Sequence, residues 1–157
     1  MRLFRIGPDQ HIGNMSGMGG SYRDGAGWNS AGVAVLYFGT SPSVAMLELG
    51  NYVPSPRDLP DNYRLAVFEV PDDEVETWSV DQLPVDWADF SYPSSIQQLG
   101  TQWLRQREKL VLLVPSCAVA GGMENIAVVN PMHPDVSKIR LLEKHAAIYN
   151  ERMFKGI

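Results

Sequence analysis

Residues 33–50 read VAVLYFGTSPSVAMLELG, and this stretch decides the fold. Val33 to Phe38 form an uncharged apolar run that stops at Gly39, which reads as a largely buried strand. Ser41 and Pro42 come next. A serine can cap the first turn of a helix, and a proline fits inside that turn, so a helix starts here. Val44, Leu47 and Leu49 give it apolar faces as far as Gly50.

Outward from this unit the chain alternates short strands with punctuation. Upstream, residues 2–6 alternate polar and apolar and predict a short strand. Residues 7–32, rich in glycine from Gly13 to Gly32, predict a long irregular segment, and loops of that length are often functional. Downstream, Pro54, Pro56 and Pro60 mark residues 51–62 as a loop. Residues 63–70 alternate and stop at Pro71, a strand, and a shorter one is expected from Val75 to Val80. Residues 94–107 place Ile96, Leu99, Trp103 and Leu104 on one helical face. Leu110–Val114, Ile126–Val129 and Ile139–Leu142 complete the strands. Many short strands with two or so helices predict a mixed α+β domain, and 157 residues fit one domain spanning 1–157.

The charge balance narrows the partners. Lys plus Arg number 13 against 18 Asp plus Glu, net -5, which argues against the chain itself binding nucleic acid. Ten acidic residues and one basic residue, Arg64, lie between Asp58 and Asp89, a solvated acidic face or a docking surface for a basic partner. No run is apolar for the roughly 20 residues a membrane span needs. The start carries Arg2 and Arg5 and no signal-like apolar region, and the lone Cys117 forms no internal disulfide, so a reducing cytoplasm is expected. His11, His133, His145 and Cys117 lack metal-ligand spacing, so no metal is expected.

Several residues admit two readings. The glycine segment matches neither a dinucleotide fingerprint nor a P-loop, and leads into a strand instead of a helix. It is either a plain loop or a phosphate cradle. Trp28 either plugs a core edge or stacks on a flat ring. Glu48, between Leu47 and Leu49, either faces solvent or points inward and needs a partner. Tyr37 reads as core. His133, flanked by Pro131 and Pro134, reads as a structural turn. Pro115, Ser116 and Cys117 form no nucleophile elbow, and Cys117 reads as a small buried filler.

Taken in order, these residues resemble one family. Arg5 lies on the first strand, and the glycine loop ends at Trp28, Asn29, Ser30, Ala31 and Gly32. Tyr37 ends a strand, Ser41 and Pro42 start a helix bearing Glu48, and Pro115 and Ser116 end a late strand. Glu124 and Asn125 precede Asn130, Pro131, Met132, His133, Pro134 and Asp135. This ordered set resembles the RES-domain family, the toxin half of bacterial Res–Xre toxin–antitoxin pairs. The resemblance implies a fold similar to ADP-ribosyltransferases and an activity that destroys cellular NAD, with NAD as substrate and no bound cofactor. It implies an Xre-type helix-turn-helix antitoxin as partner, and a homodimer within a larger hetero-oligomer. It assigns the catalytic positions to Tyr37, Glu48 and Ser116. Arg5, Arg23, Trp28, Asn29 and Asn125 are expected to hold the dinucleotide. One position departs: the family carries an arginine where this chain has Gly27. Arg23, four residues earlier, or Arg5 alone then faces the pyrophosphate.

Overall fold

The computed structural model describes residues 1–153. Seven strands, β1 (Arg2–Pro8), β2 (Leu36–Gly39), β3 (Tyr63–Glu69), β4 (Val75–Thr77), β5 (Val111–Pro115), β6 (Asn125–Val129) and β7 (Arg140–His145), form a mixed sheet. Their order is β4-β5-β6-β2-β1-β3-β7, antiparallel throughout except between β4 and β5. Three α-helices accompany it: α1 (Gly20–Asp24), α2 (Pro42–Leu49) and α3 (Ser94–Gln106). This is the mixed α+β architecture expected.

Period-2 alternation explains the two cores. Tyr37, Leu112, Val114 and Val128 turn to one face and pack with Trp28, Ile96, Trp103 and Leu104. Their neighbours Leu36, Phe38, Val111, Ala127 and Val129 turn to the other face and pack with Leu3, Ala66 and Phe68 of β1 and β3. The α3 helix has no side-chain bond at its N-cap, Pro93, so its apolar face holds it. Burying each of Ile96, Trp103 and Leu104 contributes about 1.5–3 kcal/mol. Gly100 allows the close approach: a Cβ there would lie 2.0 Å from the Trp28 carbonyl oxygen.

The ladders leave a seam. β1 pairs with β3 from Arg2 opposite Glu69 to Pro8 opposite Tyr63, but with β2 only at Phe4 opposite Gly39. Beyond that pair the two halves of the sheet part. α2 packs across the seam on β1 and β2. Its start is the expected one, with the Val44 N–H donating to the Ser41 hydroxyl at 3.1 Å. A Cβ at Gly39 would lie 2.6 Å from the Ala45 nitrogen, so α2 can sit this close only over a glycine.

Some boundaries moved for local reasons. The strand expected from Val33 begins at Leu36, because the Val33 and Val35 N–H groups donate to Ser30 and Gly17 of the preceding loop. That loop is not wholly irregular, since it contains α1. In α2 the buried residues are Val44 and Ala45, while Leu47 is exposed. The fourth strand stops at Thr77. The last strand extends to His145 and is exposed at every residue, because it is the outer edge beside β3. Among the described residues no helix is long and apolar enough to cross a membrane.

Candidate active site

A cavity of about 990 Å³ opens where the halves of the sheet part. β1 supplies Arg5, β2 supplies Tyr37, and α2 supplies Glu48. The glycine segment forms one wall, and residues 87–93 form another. A shallower hollow on the outer side of α3 has Arg105 as its one charged lining residue and none of the expected site residues.

Tyr37 is fixed by a buried knot. Its hydroxyl donates to Asn29 Oδ1 at 2.8 Å and accepts from the Trp28 N–H at 3.0 Å. Asn29 is fully buried, and its Nδ2 donates to the Ser21 and Val33 carbonyls at 2.7 and 3.1 Å. The knot ties the glycine segment to β2. Burial pushes the Tyr37 phenol far above its ordinary pKa, so it stays neutral.

Glu48 is held at both oxygens. Ser116 donates its hydroxyl to Oε1 at 2.5 Å, and Asn51 donates Nδ2 to Oε2 at 3.0 Å. Ser116 is itself fully buried, and its oxygen accepts from the Ala118 N–H at 3.1 Å. Of the two readings of Glu48, the inward one with partners holds. Neutral donors fix the carboxylate's direction and leave its negative charge facing the cavity.

Arg5, on β1, is the cation that lines the cavity. Its guanidinium lies 5.9 Å from the Phe38 ring centre and donates to the Asn14 carbonyl at 3.3 Å. Among the described residues it forms no ion pair. Burial draws its pKa below the ordinary arginine value, and an arginine so placed still carries its charge. A half-hidden cation without a carboxylate is suited to an anionic ligand.

The remaining expected residues sit elsewhere. Arg23 is exposed, bonds its neighbour Asp24 at 2.8 Å, and does not line the cavity. The Trp28 indole is buried beside Trp78, with ring centres 6.1 Å apart, so it plugs the core and only borders the cavity. Asn29 and Ser116 have no exposed surface for a ligand, and their side chains bond Tyr37 and Glu48. Asn125 lies on β6, where its carbonyl accepts from the Thr40 hydroxyl at 2.6 Å, outside the cavity lining. Gly27 does line the cavity, and a Cβ there would lie 3.4 Å from the Tyr92 ring, so a side chain would fit.

His133 accepts from the Asp135 N–H at 3.1 Å, the structural turn expected. Cys117 is an exposed residue at the cavity instead of a buried filler, and partial desolvation of its thiol followed by the charge of Glu48 pushes its pKa up, which disfavours a thiolate. Asn51, Tyr52 and Tyr92 escaped the sequence reading. Asn51 carried only a weak signal, since it stands three residues after Glu48, in the turn that follows α2. Among the described residues no three His, Cys, Asp or Glu side chains gather as a metal site.

The sequence model of the RES domain matches residues 2–149. The chain is 34% identical over 146 residues to the Prs ADP-ribosylating toxin of Sphingobium sp. (strain YBL2), covering 90% of this chain and 88% of that one. It is 35% identical over 145 residues to Toxin Res of Pseudomonas putida, covering 90% and 92%. Among solved structures it resembles the M. tuberculosis MbcT-MbcA toxin-antitoxin complex, with a TM-score of 0.70 at 21% identity over 92% of this chain and 82% of that chain.

Proposed function

The chain belongs to the RES domain family, and from that premise we propose that it is a toxin that depletes NAD by cleaving the bond between nicotinamide and ribose. The observation that carries this reading is Glu48, fixed at both oxygens and lining a cavity that is also lined by Arg5, which forms no ion pair among the described residues.

The chemistry needs that arrangement. Nicotinamide leaves as a neutral ring, because the electrons of the breaking carbon–nitrogen bond return to its cationic nitrogen. No acid is required. The ribose carbon becomes oxocarbenium-like, as in glycoside cleavage. Glu48 stabilises that cation, orients the attacking water or phosphate through the ribose hydroxyls, and takes up the proton of the attacking group. Ser116 and Asn51 keep the carboxylate in place. Tyr37 packs against the nicotinamide ring, and the knot behind it keeps it from turning. Arg5 takes the pyrophosphate. Arg23 does not line the cavity and is given no part in holding the pyrophosphate.

A specific observation favours a second reading. The relative from Sphingobium is named an ADP-ribosylating toxin. A protein side chain can accept ADP-ribose from the same cation, so Glu48 serves either outcome. A catalytically weak binding module is the third reading, suggested by Gly27. The proposed partner is a helix-turn-helix antitoxin of the Xre type, in a hetero-oligomer built on a toxin homodimer in the cytoplasm. The solved neighbour, a toxin with its antitoxin, supports the existence of such a partner.

Mass spectrometry of the products separates these readings. Free nicotinamide with ADP-ribose indicates water as acceptor, and ADP-ribose carrying an added phosphate indicates phosphate. A protein gaining one ADP-ribose indicates transfer to protein. Intact NAD after prolonged incubation leaves the binding module.

A further inference from the structure

Glu124 and Asn125, where β6 begins, lie outside the cavity lining but bond to both parts of the chain that place Glu48. On one side they hold the corner between β2 and α2. The Thr40 hydroxyl donates to the Asn125 carbonyl at 2.6 Å, and the Thr40 N–H donates to the same oxygen at 3.3 Å. The next hydroxyl, that of Ser41, donates to Glu124 Oε2 at 3.1 Å. On the other side they hold the end of β5. The Ser116 N–H donates to the Glu124 carbonyl at 2.8 Å, and Pro115 stands opposite Asn125 in the ladder.

These bonds converge on one contact. Ser41 caps α2, which has no acidic residue in its first turn. Glu124 brings a negative charge to that helix start from 83 residues away, where the aligned N–H groups favour it. Glu48 stands in the last turn of the same helix, and the Ser116 hydroxyl meets it at 2.5 Å. A hydroxyl–carboxylate bond is strong when short and straight, and weakens steeply when either partner turns. Its geometry depends on how α2 sits against the end of β5, and both are fastened to the same two residues.

We propose that Thr40 and Glu124 are positioning residues for Glu48: with the Asn125 carbonyl they form a bracket that sets α2 against Ser116 and so aims the carboxylate. The bracket rests on the reading of Glu48 as the group that meets the ribose cation, and extends that reading to residues outside the cavity. Asn125, which the family's order assigned to the dinucleotide, takes part through its main chain.

A double-mutant cycle on nicotinamide release tests the bracket, with Thr40→Val and Glu124→Ala each made alone and on the Ser116→Ala chain. Alone, Thr40→Val should lower kcat by about three- to tenfold and Glu124→Ala, whose bond is exposed, by about threefold, with KM for NAD within about twofold. On the Ser116→Ala chain the contact they aim is gone, and neither should lower kcat by more than about twofold. Thr40→Ser, which keeps the hydroxyl, should rescue most of the loss, and this comparison decides the matter if Ser116→Ala does not fold. Equal losses with and without the Ser116 hydroxyl, no loss in either variant, or a fall in Thr40→Ser as deep as that in Thr40→Val overturns the bracket and leaves Glu48 in its role. A parent chain that frees no nicotinamide overturns the reading of Glu48 and the bracket with it.

Discussion

Two charged residues that line the cavity are held in opposite ways. Glu48 is clamped by two neutral donors, Ser116 and Asn51, so its direction is fixed and its charge is not cancelled. Arg5 has a single carbonyl partner at 3.3 Å and a ring beneath it, so its charge is available and its direction is loose. Position matters for the group that meets a transition state, because misplacement by a fraction of an ångström weakens it. Charge matters more for the group that holds a diffuse anion, which tolerates several geometries. In the proposed function a reacting end is thus separate from a holding end, and the substrate proposed is itself cationic at one end and anionic in the middle.

Variants can break this contrast. Glu48→Gln should have the largest effect, lowering kcat about 100- to 1,000-fold while the thermal midpoint stays unchanged. Equal loss of kcat and stability would mean that the carboxylate is structural. Arg5→Ala should raise KM by roughly 10- to 100-fold with kcat nearly constant, as expected for loss of a charged hydrogen-bond donor. A fall in kcat alone would erase the distinction between the two residues. Asn29→Ala should destabilise the fold by about 1–3 kcal/mol, measured by urea unfolding, because the Tyr37 hydroxyl and two loop carbonyls lose a buried partner. Asn51→Ala should lower kcat by about fivefold and leave KM alone, since one exposed hydrogen bond from a neutral donor contributes about 1 kcal/mol. Arg23→Ala should change neither constant by more than about twofold, as an exposed ion pair contributes little.

Sequence made the local elements legible and left most of the site hidden. The Ser41 cap, the α3 stripe and the β3 alternation depend on residues close in the chain, and they stand where expected. The seam between β1 and β2 depends on pairing between distant segments, which no local period encodes. Glu48 was visible as a carboxylate in an apolar stretch, but Ser116 reaches it from 68 residues away. Tyr52 and Tyr92 meet across 40 residues, and each alone looks like an ordinary loop aromatic. Arg23 shows the reverse. It stands near Gly27 in the chain, yet the cavity is lined without it. Asn29 and Asn125 matched the family's order, and order does not reveal whether a residue lines a cavity.

The most direct test of a charge-separated site for NAD is the release of nicotinamide by the purified chain, followed over time beside the Glu48→Gln variant. The account predicts one nicotinamide freed for each NAD lost by the parent chain, and loss of release in the variant. Unchanged NAD with the parent chain, or equal release by both, would contradict it.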